Sequence, residues 1–352
     1  MSAITRKKLS FRTASVLISS ALLLTFVSCS SAPEYLTLQG FAQGGTYSVK
    51  FSMEGVKESR QAISAAVDSI LFAVDTTLSG YNKSSQLSRF NAGEEVALSD
   101  MFVDIFTLSR NLWEETDGAL DVAAGPLFDA WGFGFKNDSL PSEEKVAQLM
   151  ATCGMGNLTF DLQTRSISSC IPEGHPSLNF NAIAQGYTCD LVADYLHSLG
   201  VTNMLVDIGE IYCEGVNQAG NPWKVGVDRP TDGNMQPGAD LDGIWQGDGS
   251  GCGIVTSGNY RKFYVRDGKK YSHTIDPRNG FPVDHTLLSA TIVAPTSALA
   301  DAYATCCMVL GLDDAKALIT SSGPLEGYLI YDCDGEMKEW ASDGFNLVSS
   351  GR

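Results

Sequence analysis

Residues 255–311 hold the chemistry-bearing side chains of this chain in their closest spacing. Asp301 and Thr305 stand four apart in a run, 298–310, that is rich in Ala, Leu and Met, lacks Gly and Pro, and follows Pro295. That composition predicts a helix, and the spacing puts both side chains on one face, one turn apart. A carboxylate and a hydroxyl so placed are two hard oxygen donors, suited to Mg²⁺ or Ca²⁺. Two donors do not make a metal site. The same pair fits an ordinary helix start, with the Asp favoured by the helix dipole and the Thr bonded back to a carbonyl. His273 precedes a polar turn, Ile275-Asp276-Pro277-Arg278-Asn279-Gly280, set between strand-like runs. His273 and Arg278 can bind an anionic oxygen or move a proton; a plain hairpin with a partly exposed His is the other reading. Thr256, Ser257 and Gly258 read as a Gly-containing turn with two hydroxyls.

The elements that must position these groups follow from periodicity. Residues 35–52 alternate as strands around a Gln43-Gly44-Gly45 turn. Residues 62–74, 100–116 and 142–153 carry apolar residues at helical spacing or a helix start. A helix over 187–199, opening after a Gly turn, presents Leu191, Val192, Tyr195 and Leu196 on one face and could accept a phosphate at its N–H groups. Residues 204–215 predict a buried strand and turn, 223–230 a strand, 231–250 a loop or short hairpin, and 287–293 and 327–331 further strands, the last strand reaching Phe345.

The 352 residues, 44% hydrophobic, suffice for a sizeable core. A net charge of −17 disfavours nucleic acid and anionic membrane surfaces as partners. Residues 1–28 read as a targeting segment: Arg6, Lys7, Lys8 and Arg12, then an apolar run too short for a comfortable span. It ends Phe-Val-Ser-Cys-Ser, similar to a bacterial lipobox, so Cys29 is the expected lipidated first residue and 29–37 a tether. Loss of 1–28 would leave 20 basic against 41 acidic residues. Of the other eight cysteines, Cys153 and Cys170 are the expected bridge, and no spacing suggests zinc. His175, His197 and His285 fall in no motif and read as surface residues.

The motifs T-S-G-N-Y, Y-S-H-T-I-D-P-R-N-G-F-P and A-L-A-D-A-Y-A-T, with L-S-G-Y-N-K-S-S-Q-L-S-R-F-N, D-G-A-L-D-V-A-A-G-P-L-F-D-A-W-G-F-G and N-F-N-A-I-A-Q-G-Y upstream, resemble in order and spacing the ApbE family of FAD:protein FMN transferases. The resemblance covers 38–340 and implies a single domain, 38–352. Its implied fold is α+β, T-fold-related: mixed, mostly antiparallel sheets flanked by helices, with FAD in a central cleft between two lobes. It implies that Tyr81 stacks on the isoalloxazine ring, that the backbone of Ala119, Leu120 and Asp121 holds the flavin or ribityl part, and that Gln185, Thr256, Ser257, Gly258, His273 and Arg278 also face the cofactor. It implies a metal ion, Mg²⁺ with Ca²⁺ as the alternative, held by Asp301, Thr305 and the Ala182 carbonyl. His273 would be the base, with a structural His bonded to Asp276 or Ser272 as the competing reading. The acceptor would be a membrane-associated redox protein, such as a quinone-reductase or electron-transport subunit, with a D-x-x-[ST]-x-A-T-like motif. The place would be the bacterial envelope, anchored by lipid and facing the periplasm, the inner membrane before the outer. Two other functions fit the same motifs: an FAD pyrophosphatase giving FMN and AMP, and a non-catalytic FAD-binding lipoprotein. Four positions depart from the family pattern: Gly44 for Met, Asn179 for Asp, Gln185 for Lys, and one glycine in place of two near Gly209.

Overall fold

A computed structural model describes residues 34–135, 140–172, 174–234, 236–260, 263–266 and 269–348. The leader 1–28, Cys29 and tether residues 30–33 lie outside them. The frame is an eight-stranded sheet: β1 (Tyr35–Ala42), β2 (Gly45–Ser52), β3 (Met204–Asp207), β4 (Ile211–Glu214), β5 (Cys252–Gly258), β6 (Leu287–Ala294), β7 (Glu326–Cys333) and β8 (Glu336–Ala341). Spatial order equals chain order, and every neighbouring pair is antiparallel. Alternation sorts side chains to two faces. On β7, Leu329 joins the main core while Tyr328 and Ile330 face the opposite cluster.

Helices cover one face. They are α1 (Arg60–Leu78), α2 (Asp100–Glu115), α3 (Ala184–Ser198), α4 (Ser297–Leu310) and α5 (Leu312–Ser321). Ser59 and Ser99 cap α1 and α2 through their side-chain oxygens. Helix α4 is buried nearly all round, because its Ala and Cys side chains are small enough to pack between α3 and strands β5 and β6. The other face carries a three-stranded sheet of Lys224–Asp228, Leu241–Gln246 and Leu347–Val348. Trp223, Trp245 and Phe345 there pack against Tyr328. All described residues fall in one compact unit. Among them, no helix is long and apolar enough to cross a membrane.

The structure corrects five expectations. Thr256-Ser257-Gly258 is the end of β5, not a turn. The hydroxyls hid the strand because they interrupt its apolar run. Phe345 lies between strands; β8 ends at Ala341. Helix α3 begins before Gly186, which is no turn: a Cβ there would overlap the Ser297 carbonyl, so Gly186 is where α3 and α4 touch. The buried face of α3 is accordingly Gly186, Cys189, Val192, Ala193 and Leu196, with Leu191 and Tyr195 only half-buried. Cys153 and Cys170 are free thiols. Asn157 ties that segment instead, donating its side-chain amide to the Cys153 carbonyl at 2.8 Å and accepting the Cys170 N–H at 2.8 Å. Of the unassigned histidines, His285 is half-buried and bonded to the Met308 carbonyl at 2.9 Å, whereas His175 and His197 are exposed.

Candidate active site

Four separated stretches converge on one cavity of about 230 Å³. The first follows α1. Ser85 donates to the Ser79 carbonyl at 2.6 Å, and Ser88 donates to the Ser79 and Gly80 carbonyls at 3.3 Å. The serines of the L-S-G-Y-N-K-S-S-Q-L-S run thus tie down the loop that presents Tyr81. Gly80 lets that loop close onto Phe135, whose ring a Cβ would overlap. Tyr81 stands at the mouth, 67% exposed, edge-on to Phe135 at 5.1 Å. An exposed aromatic ring on a pinned loop is a ready surface for a planar ligand.

The second stretch, Ala119–Leu120–Asp121, runs through the wall after α2. The Asp121 carboxylate turns to the backbone, accepting from Ala123 N–H at 2.8 Å and Met155 N–H at 2.9 Å. Burial pushes its pKa up to about 6. The third stretch is Asn179–Ala182. Buried Asn179 accepts the Asn181 N–H at 2.9 Å, the turn-holding role an Asp would fill, and Ala182 lines the cavity.

The fourth comprises the end of β5, the segment after it, and α4. Ser257 and Gly258 line the cavity. Thr256, one position away, bonds Thr291 of β6 at 2.8 Å. His273 lines the cavity between two anchored neighbours: Ser272 and Thr274 both donate to Asn259 Oδ1, at 2.6 and 2.7 Å. Its ring lies edge-on to Phe133 at 6.3 Å. Asp276 holds its own turn, accepting from Arg278 Nε and Nη2 at 2.9 Å each. Trp131 closes that turn by donating to the Gly280 carbonyl at 2.8 Å.

On α4, Thr305, Met308 and Val309 line the cavity, and Asp301 lies one turn back. Asp301 is buried, with Oδ2 accepting the Gly186 N–H at 3.1 Å. Burial, with nearby Asp190 adding to it, pushes its pKa up to about 7. The start of α4 is held from outside: the Asp190 carboxylate of α3 accepts the Ser297 N–H at 2.7 Å and the Ala298 N–H at 2.8 Å. Sequence reasoning missed Asp190, because a carboxylate within a helix reads as a solvated face. Its only sequence signal is its position four residues after Gly186.

The cavity brings together Tyr81, Ala119, Leu120, Asp121, Ala182, Ser257, Gly258, His273 and Thr305. Three predicted cofactor residues lie off its wall. Thr256 is turned aside by strand alternation, and Arg278 is spent on Asp276. Gln185 donates to the Ile208 carbonyl at 3.4 Å, beside the β3–β4 turn.

A hard cation fits these residues. No Lys or Arg lines the cavity among the described residues, so a phosphate there needs its countercharge from elsewhere. Among the described residues, buried Asp301 has one hydrogen-bond donor and Thr305 makes no bond back to its own helix, unlike Thr107 and Thr188, whose hydroxyls return to carbonyls four residues earlier. Among the described residues there is no cluster of three His, Cys, Asp or Glu side chains, so a cation there would need a hydroxyl and a carbonyl to complete its donor set.

The ApbE family model matches residues 43–329. This chain belongs to the ApbE family. It is 34% identical over 336 residues to the FAD:protein FMN transferase of Vibrio cholerae, covering 94% of this chain and 97% of that protein. It is 34% identical to the Escherichia coli K12 protein of the same description, covering 93% and 95%. The flavin transferase ApbE structure from Vibrio cholerae superposes with a TM-score of 0.76 at 33% identity, over 89% of this chain and 98% of that one. The apo flavinyl transferase ApbE structure from Pseudomonas stutzeri gives 0.77 at 31%, over 88% and 95%. The antiparallel sheet flanked by helices is the ApbE fold.

Proposed function

We propose that this ApbE protein transfers the FMN part of FAD to a Thr or Ser hydroxyl of an acceptor protein and releases AMP. One observation carries the reading. A single cavity joins an exposed ring, Tyr81, to a histidine, His273, and to Thr305, with buried Asp301 one turn behind Thr305 on the same helix. Tyr81 would stack on the isoalloxazine, and the backbone of 119–121 would hold the ribityl side. Asp301, Thr305 and the Ala182 carbonyl would hold Mg²⁺, which when bound neutralises pyrophosphate charge.

In the reaction the acceptor oxygen forms a bond to the FMN-side phosphorus. The bond from that phosphorus to the bridging oxygen breaks, and AMP leaves with the bridging oxygen. The acceptor proton passes to His273, whose ordinary pKa lies near working pH. Ser257 and the Gly258 backbone would face the phosphates. A lipid on Cys29 would place the enzyme on the outer side of the inner membrane, beside membrane redox proteins that carry a D-x-x-[ST]-x-A-T-like motif.

The test uses the chain from Ser30 onward with FAD, Mg²⁺ and an acceptor protein bearing that motif, followed by intact mass. The expected result is a gain of one FMN on the acceptor, abolished by chelation. Free FMN and AMP without the adduct would replace transfer by hydrolysis. FAD left intact in every condition would make the protein a carrier.

A further inference from the structure

The flavin reaction uses none of the eight described cysteines. Cys189, Cys306 and Cys307 are buried in the helical layer, Cys153 and Cys170 are the free thiols beside Asn157, and Cys333 ends β7. Cys213 and Cys252 are arranged differently. They stand on adjacent strands β4 and β5, directly opposite each other in antiparallel register. Directly opposed residues of an antiparallel pair share a face, with Cα atoms about 4.5–5.5 Å apart. That lies inside the range of about 4.4–6.8 Å that a disulfide spans. Both side chains belong to the cluster of Trp223, Trp245 and Tyr328. Cys213 is buried within it, and Cys252 is partly open. The closeness of the two thiols, with burial adding to it, raises the Cys213 pKa, and the same closeness lowers that of Cys252.

We propose that Cys213 and Cys252 form a reversible cross-strand disulfide, a redox site separate from the flavin cavity. The oxidant is a small-molecule disulfide such as oxidised glutathione. The partly open Cys252 loses its proton and attacks one sulfur of the oxidant, forming a mixed disulfide and releasing one thiolate, which takes up a proton. Cys213 loses its proton and displaces the second thiolate, closing the intramolecular bond. The protein gives up two electrons and two protons, and the oxidant leaves as two thiols. A dithiol reductant runs the exchange backwards.

The bond would join the ends of segment 214–251, which carries two strands of the smaller sheet and its tryptophans. It would also hold β5 beside Gly253, whose opposite face leaves room for Ser297 at the start of α4. Oxidation is therefore expected to raise Tm.

The experiment treats the chain from Ser30 onward with oxidised or reduced glutathione, alkylates remaining thiols under denaturing conditions, and maps peptides without reduction. The expected result is a Cys213–Cys252 linked peptide, protected from alkylation and released by dithiothreitol, with a Tm that falls on reduction. In Cys252→Ala, Cys213 should stay alkylatable under both treatments and the redox shift in Tm should vanish. Full alkylation of both cysteines after oxidation would overturn the proposal. So would a glutathione adduct on Cys252 without the intramolecular link, or linkage of either cysteine to another partner.

Discussion

Asp301 is a carboxylate kept from water with one backbone donor, and a group in that position ionises readily only beside a cation. Asp301→Asn keeps the size and removes the charge. We expect the variant to fold with an unchanged or higher Tm and to lose about 100-fold or more of its transferase activity, read by intact mass of the acceptor and by thermal melting. Asp121 gives a pH prediction. Its folded pKa, about 6, lies above the ordinary 3.8, so the native state holds that proton more tightly than the unfolded chain does. Its contribution is fully present below about pH 4 and is lost as pH rises through 6, on the order of 3 kcal/mol in all. Denaturant unfolding from pH 4 to 7.5 should show that component, and Asp121→Asn should lack it. If Tyr81 stacks on the isoalloxazine as proposed, Tyr81→Ala should raise the KM for FAD about tenfold, while Tyr81→Phe changes it little, because the ring face rather than the hydroxyl would make the stack. At this scale the meeting of His273 and Thr305 at one cavity was legible from residue type and motif, and Asp301 lies one turn behind Thr305. Thr256 was not, since which of two adjacent hydroxyls faces a ligand is decided by strand phase.

The elements were legible where one periodicity ruled. The helices expected over 62–74, 100–116, 142–153 and 298–310 form, with no end shifted by more than four residues in the structure. Contacts between elements were not legible. Nothing along α3 alone shows that Gly186 meets Ser297, or that Asp190 reaches two N–H groups of α4. These contacts set where Asp301 and Thr305 stand. Asp190→Ala should cost about 1–2 kcal/mol, as loss of a helix cap does, and should lower activity beyond what the fall in folded fraction explains. Gly186→Ala drives a methyl into backbone that cannot rotate away, and should cost about 1–3 kcal/mol. Denaturant midpoints paired with activity measured well below each variant's Tm check both.

Across the whole molecule, the antiparallel sheet follows the chain strand by strand, yet the flavin cavity does not. Tyr81, the 119–121 wall and Ala182 all come from the single excursion between β2 and β3, while Ser257, His273 and Thr305 come from the second half of the chain. Even Gly186 and Asp301, joined by one hydrogen bond, are 115 positions apart. Several strands were legible from their alternation, such as β1, β2 and β6, but this joining was not, because distance along a chain carries no signal of proximity in space. Neighbouring strands joined by short turns, such as β1–β2 and β7–β8, need little loop closure and can form early. The cavity needs the most distant parts of the chain to meet. In a refolding experiment, far-UV signal should therefore recover before the capacity to hold flavin, and FAD should act on the last step of folding, as a latch that closes only once both halves have arrived.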